Sequence, residues 1–150
     1  MPIRFKIEVP ASPEEAFAYV ADLPRHGDWA NPKAGLHVEP VSAEATGVGS
    51  KYRSSQRFLG KDTGADITIT RLEPARILAF DAVHQGKKGP ETYTNVFTFT
   101  PSGAGTVVER SIDRQPPMLA GILVYPAIRA DAMKALRRLK SNLESKTTGR

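Results

Sequence analysis

Cysteine is absent from the 150 residues. Its absence excludes disulfide bonds, thiolate nucleophiles and cysteine-based metal sites, so stability must come from packing. Long apolar runs are also missing: the longest, residues 118–128, contains Pro126 and is shorter than the roughly 20 residues that a membrane span needs. The N-terminus alternates charged and apolar residues and does not resemble a signal peptide. We therefore expect a cytoplasmic protein with no integral membrane segment.

Positive charge is concentrated near the C-terminus. The whole chain carries +5, but residues 114–150 hold eight Lys/Arg and two acids, a net +6, which leaves −1 for the rest. No aromatic residues are interleaved with these cations, so we do not expect a nucleic-acid partner. The pattern favours a solvated helix face; contact with an acidic protein or an anionic membrane is the alternative. The helix cations in question are Arg129, Lys134, Arg137, Arg138 and Lys140.

The order of local patterns predicts a single α+β domain over residues 1–145 with a frayed tail at 146–150. Alternation from Ile3 to Val9 predicts a strand. Ser12, Pro13 and Glu15 then form an N-cap, a first-turn proline and a capping box, so a helix begins there and ends before Pro24. A short helical turn is expected over residues 24–29.

Six further strands with short connections predict an antiparallel meander. In the clearest of them, residues 92–100, an aromatic face that includes Asn95 is expected to point inward. The predicted strands are residues 36–44, 49–58, 65–73, 76–84, 91–100 and 105–113, with turns at 60–64, 73–75, 85–90 and 101–105.

A helical stripe of apolar residues follows Pro116 and Pro117. It runs from Met118 to Leu143 in steps of three or four, which predicts a long amphipathic helix. Pro126 is expected to kink this helix or to start a second segment, because proline lacks the N–H and clashes with the preceding turn.

Six segments together match a known pattern: residues 7–17 (IEVPASPEEAF), 22–29, 31–32, 47–52 (GVGSKY), 72–74 (LEP) and 94–99 (TNVFTF). These segments resemble the SRPBCC superfamily, which includes START lipid-transfer domains, birch-pollen-allergen-like proteins and polyketide cyclase/dehydrases. The resemblance covers almost the whole chain and is carried mostly by turns and core positions. It implies a helix-grip fold, in which a curved seven-stranded antiparallel sheet wraps around the C-terminal helix and leaves a largely apolar cavity.

Two polar residues are the main candidates for ligand contact. Asn95 would either orient a ligand group or satisfy a neighbouring strand or water. Arg110 alternates with apolar residues on the last strand and would point inward. A buried guanidinium needs a partner, so we expect an acid such as Asp81 or Glu91, with an anionic ligand group as the alternative.

Apolar and aromatic residues complete the expected ligand-contact set. Trp29 can close the cavity mouth, although simple packing of its large ring is the better interpretation. A phenol in the cavity can donate a hydrogen bond or act as an acid. The remaining members of the set are Tyr52, Phe58, Tyr93, Phe97, Met118, Ile122 and Tyr125.

Cofactor and metal sites are not expected. His26, His37 and His84 lack metal-ligand spacing and are interpreted as surface or loop residues. His84 and Asp81 are three apart on a strand and should face opposite sides, which argues against a dyad. The Gly47 and Gly103 turns lead into strands, whereas a phosphate-binding loop leads into a helix.

Three functions remain open from the sequence. The first is binding of a hydrophobic small molecule, such as a lipid, polyketide, quinone or aromatic metabolite. The second is a polyketide cyclase or dehydratase, which needs an inward-facing acid and base. The third is an interaction module that uses the basic helix. A homodimer is possible with any of them.

Overall fold

A computed structural model describes residues 3–41, 46–58, 60–117 and 121–148. Its core element is a seven-stranded antiparallel sheet in the order β1-β7-β6-β5-β4-β3-β2. Strands β2 to β7 follow one another as a meander, as predicted, and β1 joins the far edge by pairing with β7. The strands are β1 (Ile3–Val9), β2 (His37–Pro40), β3 (Lys51–Phe58), β4 (Lys61–Glu73), β5 (Ile77–Gly86), β6 (Gly89–Ser102) and β7 (Gly105–Gln115).

Two of the predicted turns are tighter in the structure than the sequence pattern suggested. The segment 60–64 was expected to be a turn, but β4 already begins at Lys61, opposite Phe58. Gly60, with φ of 77°, makes the reversal. Gly64 lies within β4, where a Cβ would approach the Ser54 carbonyl oxygen to 2.8 Å, so this glycine permits close strand pairing. The hairpin between β5 and β6 likewise closes at Gly86 and Gly89.

Three helical segments connect β1 to β2. Helix α1 (Pro13–Ala21) begins as predicted: Ser12 accepts a hydrogen bond from the Glu15 N–H at 3.1 Å, and Pro13 occupies the first turn. Two short 3-10 helices follow at Leu23–Asp28 and Pro32–Ala34. The first corresponds to the expected turn at 24–29, and the second was not predicted.

The C-terminal helix α2 (Gly121–Thr148) runs without interruption through Pro126. The second segment considered at Pro126 is therefore not formed; the helix continues although this proline has no N–H to donate to the carbonyl four residues earlier. The helix also extends past Ser145 to Thr148. Its predicted apolar stripe is buried at Ala132, Leu136, Leu139 and Leu143.

Arg138 and Asn142 fasten α2 to the loop around Trp29. Arg138 donates from Nε to the Trp29 carbonyl at 2.7 Å and from Nη2 to the Ala30 carbonyl at 3.2 Å. Asn142 donates to the Tyr19 hydroxyl at 3.1 Å. Arg138 was expected on the solvated face, and this was wrong: the carbonyls that follow the 3-10 helix need donors, and Arg138 supplies them.

Alternation along the strands divides the sheet into an inner face, which packs on α1 and α2, and an outer face towards solvent. Inner-face residues and the helix stripe form one hydrophobic core, with members such as Phe5, Leu78, Phe99, Val108 and Leu136. Within the described residues, no helix combines the length and apolar character that crossing a membrane requires. The sheet and α2 together are the predicted helix-grip arrangement.

Replacing Arg138 by Met should destabilise the fold, because the Trp29 and Ala30 carbonyls lose a charged donor. We expect the free energy of unfolding to fall by about 2 kcal/mol, measured by urea denaturation. The matched control is Arg137→Met, at an exposed neighbouring position, which should change it by less than about 0.5 kcal/mol. Equal effects of the two substitutions would contradict the role assigned to Arg138.

Candidate functional site

The inner face is tightly packed at one end and looser at the other. At the packed end, beneath α1, Phe99, Val108 and Thr106 are fully or almost fully buried. Towards the opposite end, Ile112 and Tyr93 are only half-buried although they point to the same side of the sheet. We call this second region the open end. Its residues are His84, Glu91, Tyr93, Arg110, Ile112 and Arg114.

Strand register explains why these residues meet. Tyr93 of β6 lies opposite Arg114 of β7, and Asn95 lies opposite Ile112, so all four share the inner face. The hairpins at 58–61 and 86–89 are at this same end of the sheet, where β7 also ends. The open end is therefore bordered by two hairpins and by the end of β7.

Arg110 lies deepest among the charged residues of the open end. Its Nη2 and Nε donate to Asn95 Oδ1 at 2.8 Å and 3.2 Å, and its guanidinium lies 5.3 Å from the centre of the Phe97 ring. The acid partner expected at Asp81 or Glu91 was wrong: Asp81 is on the outer face, where it accepts from Thr94 at 2.7 Å, and Glu91 pairs elsewhere. Across the described segments, no carboxylate lies within ion-pair distance of Arg110.

Burial lowers the pKa of Arg110 to about 10, so the guanidinium remains charged at neutral pH. The residue nevertheless retains accessible surface. Arg110 is therefore an inner-face cation that the surrounding residues do not fully seal from solvent.

A second polar group lies nearer the hairpins. Arg114 forms an ion pair with Glu91 at 2.8 Å, and its Nε donates to the Tyr93 hydroxyl at 3.2 Å. The His84 ring contacts the Tyr93 ring edge-on at 5.4 Å. His84 was expected at the surface; it is half-buried here because β5 continues to Gly86 and places it opposite Glu91. As predicted, His84 and Asp81 face opposite sides.

His26 was interpreted as a surface residue, and this was wrong. Its ring is buried against Trp29, Phe80 and Phe97. Nε2 donates to the Val20 carbonyl at 2.7 Å, because the 3-10 helix turns the side chain into the core. Burial, opposed by this hydrogen bond and assisted by the charge of Arg110, lowers the pKa of His26 to about 4.

The structure brings only part of the predicted ligand-contact set to the open end. Tyr93, Asn95 and Arg110 meet there. Trp29 and Phe97 are completely buried in the core, which favours simple packing for both. Tyr52 lies elsewhere on the inner face and bonds to Thr46 at 3.0 Å. Met118 and the side chains of Phe58, Ile122 and Tyr125 lie outside the described residues.

Four members of the open end were not in the predicted ligand-contact set: His84, Glu91, Ile112 and Arg114. Ile112 lies within the predicted strand 105–113 and Glu91 was named only as a partner for Arg110, whereas Arg114 lies beyond that strand and is reached when the alternation from Arg110 through Ile112 is continued. A separate pocket of about 280 Å³ lies at the β3–β4 side of the sheet and includes Val41, Lys51 and Tyr52. It lacks an isolated buried charge. The described residues contain no cluster of three metal-ligating side chains.

Comparisons with known proteins agree with the fold. A family model described as polyketide cyclase/dehydrase and lipid transport matches residues 3–144. Protein CV1439 from Chromobacterium violaceum superposes with a TM-score of 0.75 at 17% identity, covering 95% of this chain and 96% of that one. Ara h 8.0201 gives 0.71 at 13% identity, with coverages of 97% and 98%. No curated protein matches.

A third solved structure is about twice as long as this chain. DynU16, from the dynemicin biosynthetic locus, has a TM-score of 0.69 at 21% identity; the match covers 97% of this chain and 48% of DynU16. At these identities, the structural matches establish the fold.

His26 predicts a specific pH dependence of stability. Its pKa is about 4 when folded and near 6.5 when unfolded, so the unfolded chain binds the proton more tightly. Stability present above pH 6.5 is lost as the pH falls towards 4, by about 3 kcal/mol in total.

Urea denaturation at pH 7 and pH 4.5 measures this loss. His26→Gln keeps a donor for the Val20 carbonyl and should reduce the difference between the two pH values. His37→Gln, at an exposed position, should leave the difference unchanged. The assignment is wrong if both variants keep the pH dependence of the original protein.

Proposed function

Because the chain belongs to the polyketide cyclase/dehydrase and lipid-transport family of the SRPBCC superfamily, we propose that it binds an apolar small molecule at the open end of the inner face. The observation that carries the proposal is the change in packing along one sheet face: Val108 is fully buried, whereas Ile112, four residues further along β7, is not.

Apolar surface supplies the affinity in this proposal. Burying it contributes roughly 25 cal/mol per Å², so a ligand that fills the space next to Ile112 and the Tyr93 ring gains affinity from area alone. The polar groups Tyr93 Oη, Asn95 and Arg110 then set its orientation. Lipids, polyketides, quinones and aromatic metabolites all satisfy this description. We propose the same ligand-contact roles for Ile122 and Tyr125, in the first turns of α2, and for Met118, which precedes α2 in the sequence.

Filling the open end tests the proposal directly. Ile112→Trp places an indole in the space, so the affinity for the neutral fluorophore N-phenyl-1-naphthylamine should fall at least about tenfold, measured by fluorescence titration. Ser111→Trp places the same ring on the outer face and is the matched control; its affinity should be unchanged. Native mass spectrometry of the purified protein shows, in addition, whether a ligand co-purifies. Equal dye affinities for both variants, or no dye binding to the original protein, would reject this site.

A second function, enzymatic cyclisation or dehydration, is favoured by the polar group around Tyr93. The Tyr93 hydroxyl accepts a hydrogen bond from Arg114, so its own proton is free to be given to a substrate oxygen. The cation at Arg110 would stabilise an enolate bound deeper in the site. Here the space would hold a reactive chain in a folded conformation.

Conversion of a poly-β-ketone, followed by mass spectrometry for loss of water, tests this second function. Tyr93→Phe should slow conversion by on the order of a hundredfold while leaving binding within a few-fold. Tyr52→Phe, in a part of the inner face away from Arg114, should leave turnover unchanged. Binding without conversion would leave the carrier function alone.

A further inference from the structure

Arg110 and Arg114 both lie on the inner face, but they differ in how their charge is balanced. Arg114 has the Glu91 carboxylate at 2.8 Å and the Tyr93 hydroxyl at 3.2 Å. Arg110 has only the neutral amide oxygen of Asn95 among the described residues. Four residues separate the two along β7, which corresponds to about 13 Å. The charge of Arg114 is thus balanced by Glu91, whereas the charge of Arg110 has no counter-ion among the described residues.

The Asn95 amide satisfies only part of the Arg110 guanidinium. Both of its bonds, from Nε and Nη2, go to the same oxygen, so two of five N–H groups share one acceptor. The remaining N–H groups have no acceptor within the described part of the chain. An inward cation without a counter-ion is unfavourable in an apolar surrounding, and the Phe97 ring face compensates only in part. The isolated cation therefore suits a ligand that brings its own negative charge.

Exposed lysines lie at both hairpins that border the open end, and the acid next to one of them, Asp62, pairs with Arg57 at 3.5 Å. Lys87 and Lys88 form the tip of one bordering hairpin, and Lys61 begins the strand after the other; all three are exposed. Cations around a cleft attract anions during encounter, an effect that falls with added salt. These lysines and the unpaired Arg110 favour the same class of ligand.

We propose that the ligand is an apolar carboxylic acid whose carboxylate binds the free edge of Arg110 while its apolar part occupies the space beside Tyr93 and Ile112. This inference rests on the proposed binding function and adds the chemical class of the ligand. A planar carboxylate fits the guanidinium fork through two parallel hydrogen bonds, which an ester or an alcohol does not reproduce.

Dodecanoic acid and its methyl ester share an apolar chain and differ in charge. Comparing their affinities therefore distinguishes binding of an apolar molecule from recognition of its carboxylate by Arg110. Isothermal titration at pH 7.5 should give the acid an affinity about 30-fold or more above that of the ester. Arg110→Met should bind both compounds within about threefold of each other, and Arg110→Lys should retain an intermediate preference. Arg53→Met, on the outer face and 67% exposed, is the matched control and should keep the full preference.

Each result has a distinct meaning. If neither compound binds the original protein, the proposed function fails, and this inference with it. If both bind with similar affinity, the binding function stands and the carboxylate assignment is overturned. A preference for the acid that survives Arg110→Met also overturns it, because another group must then hold the carboxylate. If Arg110→Met does not fold, the ratio of acid to ester affinity in the original protein and in Arg110→Lys still tests the carboxylate assignment.

Discussion

Seven strands spaced about 4.8 Å apart make a sheet roughly 29 Å wide, whereas one helix with its side chains is only about 10 Å across. A single long helix therefore cannot cover one face of this sheet when the sheet is flat. The β-bulge in β4, between Ile69 and Arg71, adds local twist and bending. Helix α1 covers additional area at one end, where Phe17 packs on Phe99. At the other end of the inner face, Ile112 and Tyr93 remain half-buried.

Unequal coverage of the inner face links the fold to the proposed site. Where both helices and the loop around Trp29 lie over the sheet, the side chains are completely buried. Where coverage ends, inner-face residues keep accessible area and the polar residues are concentrated. Arg138 and Asn142 hold the later part of α2 against the Trp29 loop, which fixes the packed end.

Charge on the inner face follows the same division. His26, within the packed core, is held in its neutral form by burial. Arg110, at the border of the open end, remains a cation with a neutral partner. An inward-facing cation without a counter-ion among the described residues opposes folding. The proposed role of Arg110 in ligand recognition gives a reason for its presence.

Much of the fold was predictable from the sequence because its signals are local. Period-two alternation identified the strands, and the Ser12 cap identified the start of α1. The inward direction of Arg110 also followed from alternation. The partner of Arg110 did not, since it depends on the register between β6 and β7, which places Asn95 within reach and leaves Glu91 beside Arg114. The burial of His26 depends on a 3-10 helix whose direction is set by tertiary contacts.

Intermolecular nuclear Overhauser effects between bound ¹³C-labelled dodecanoic acid and the protein test the central claim, that the open end of the inner face is the ligand site. Contacts are expected from the acyl chain to the Tyr93 ring and the Ile112 methyl groups, with none to the fully buried Val108. Contacts to Val41 and Lys51 instead would place the ligand in the pocket on the β3–β4 side and would contradict the account.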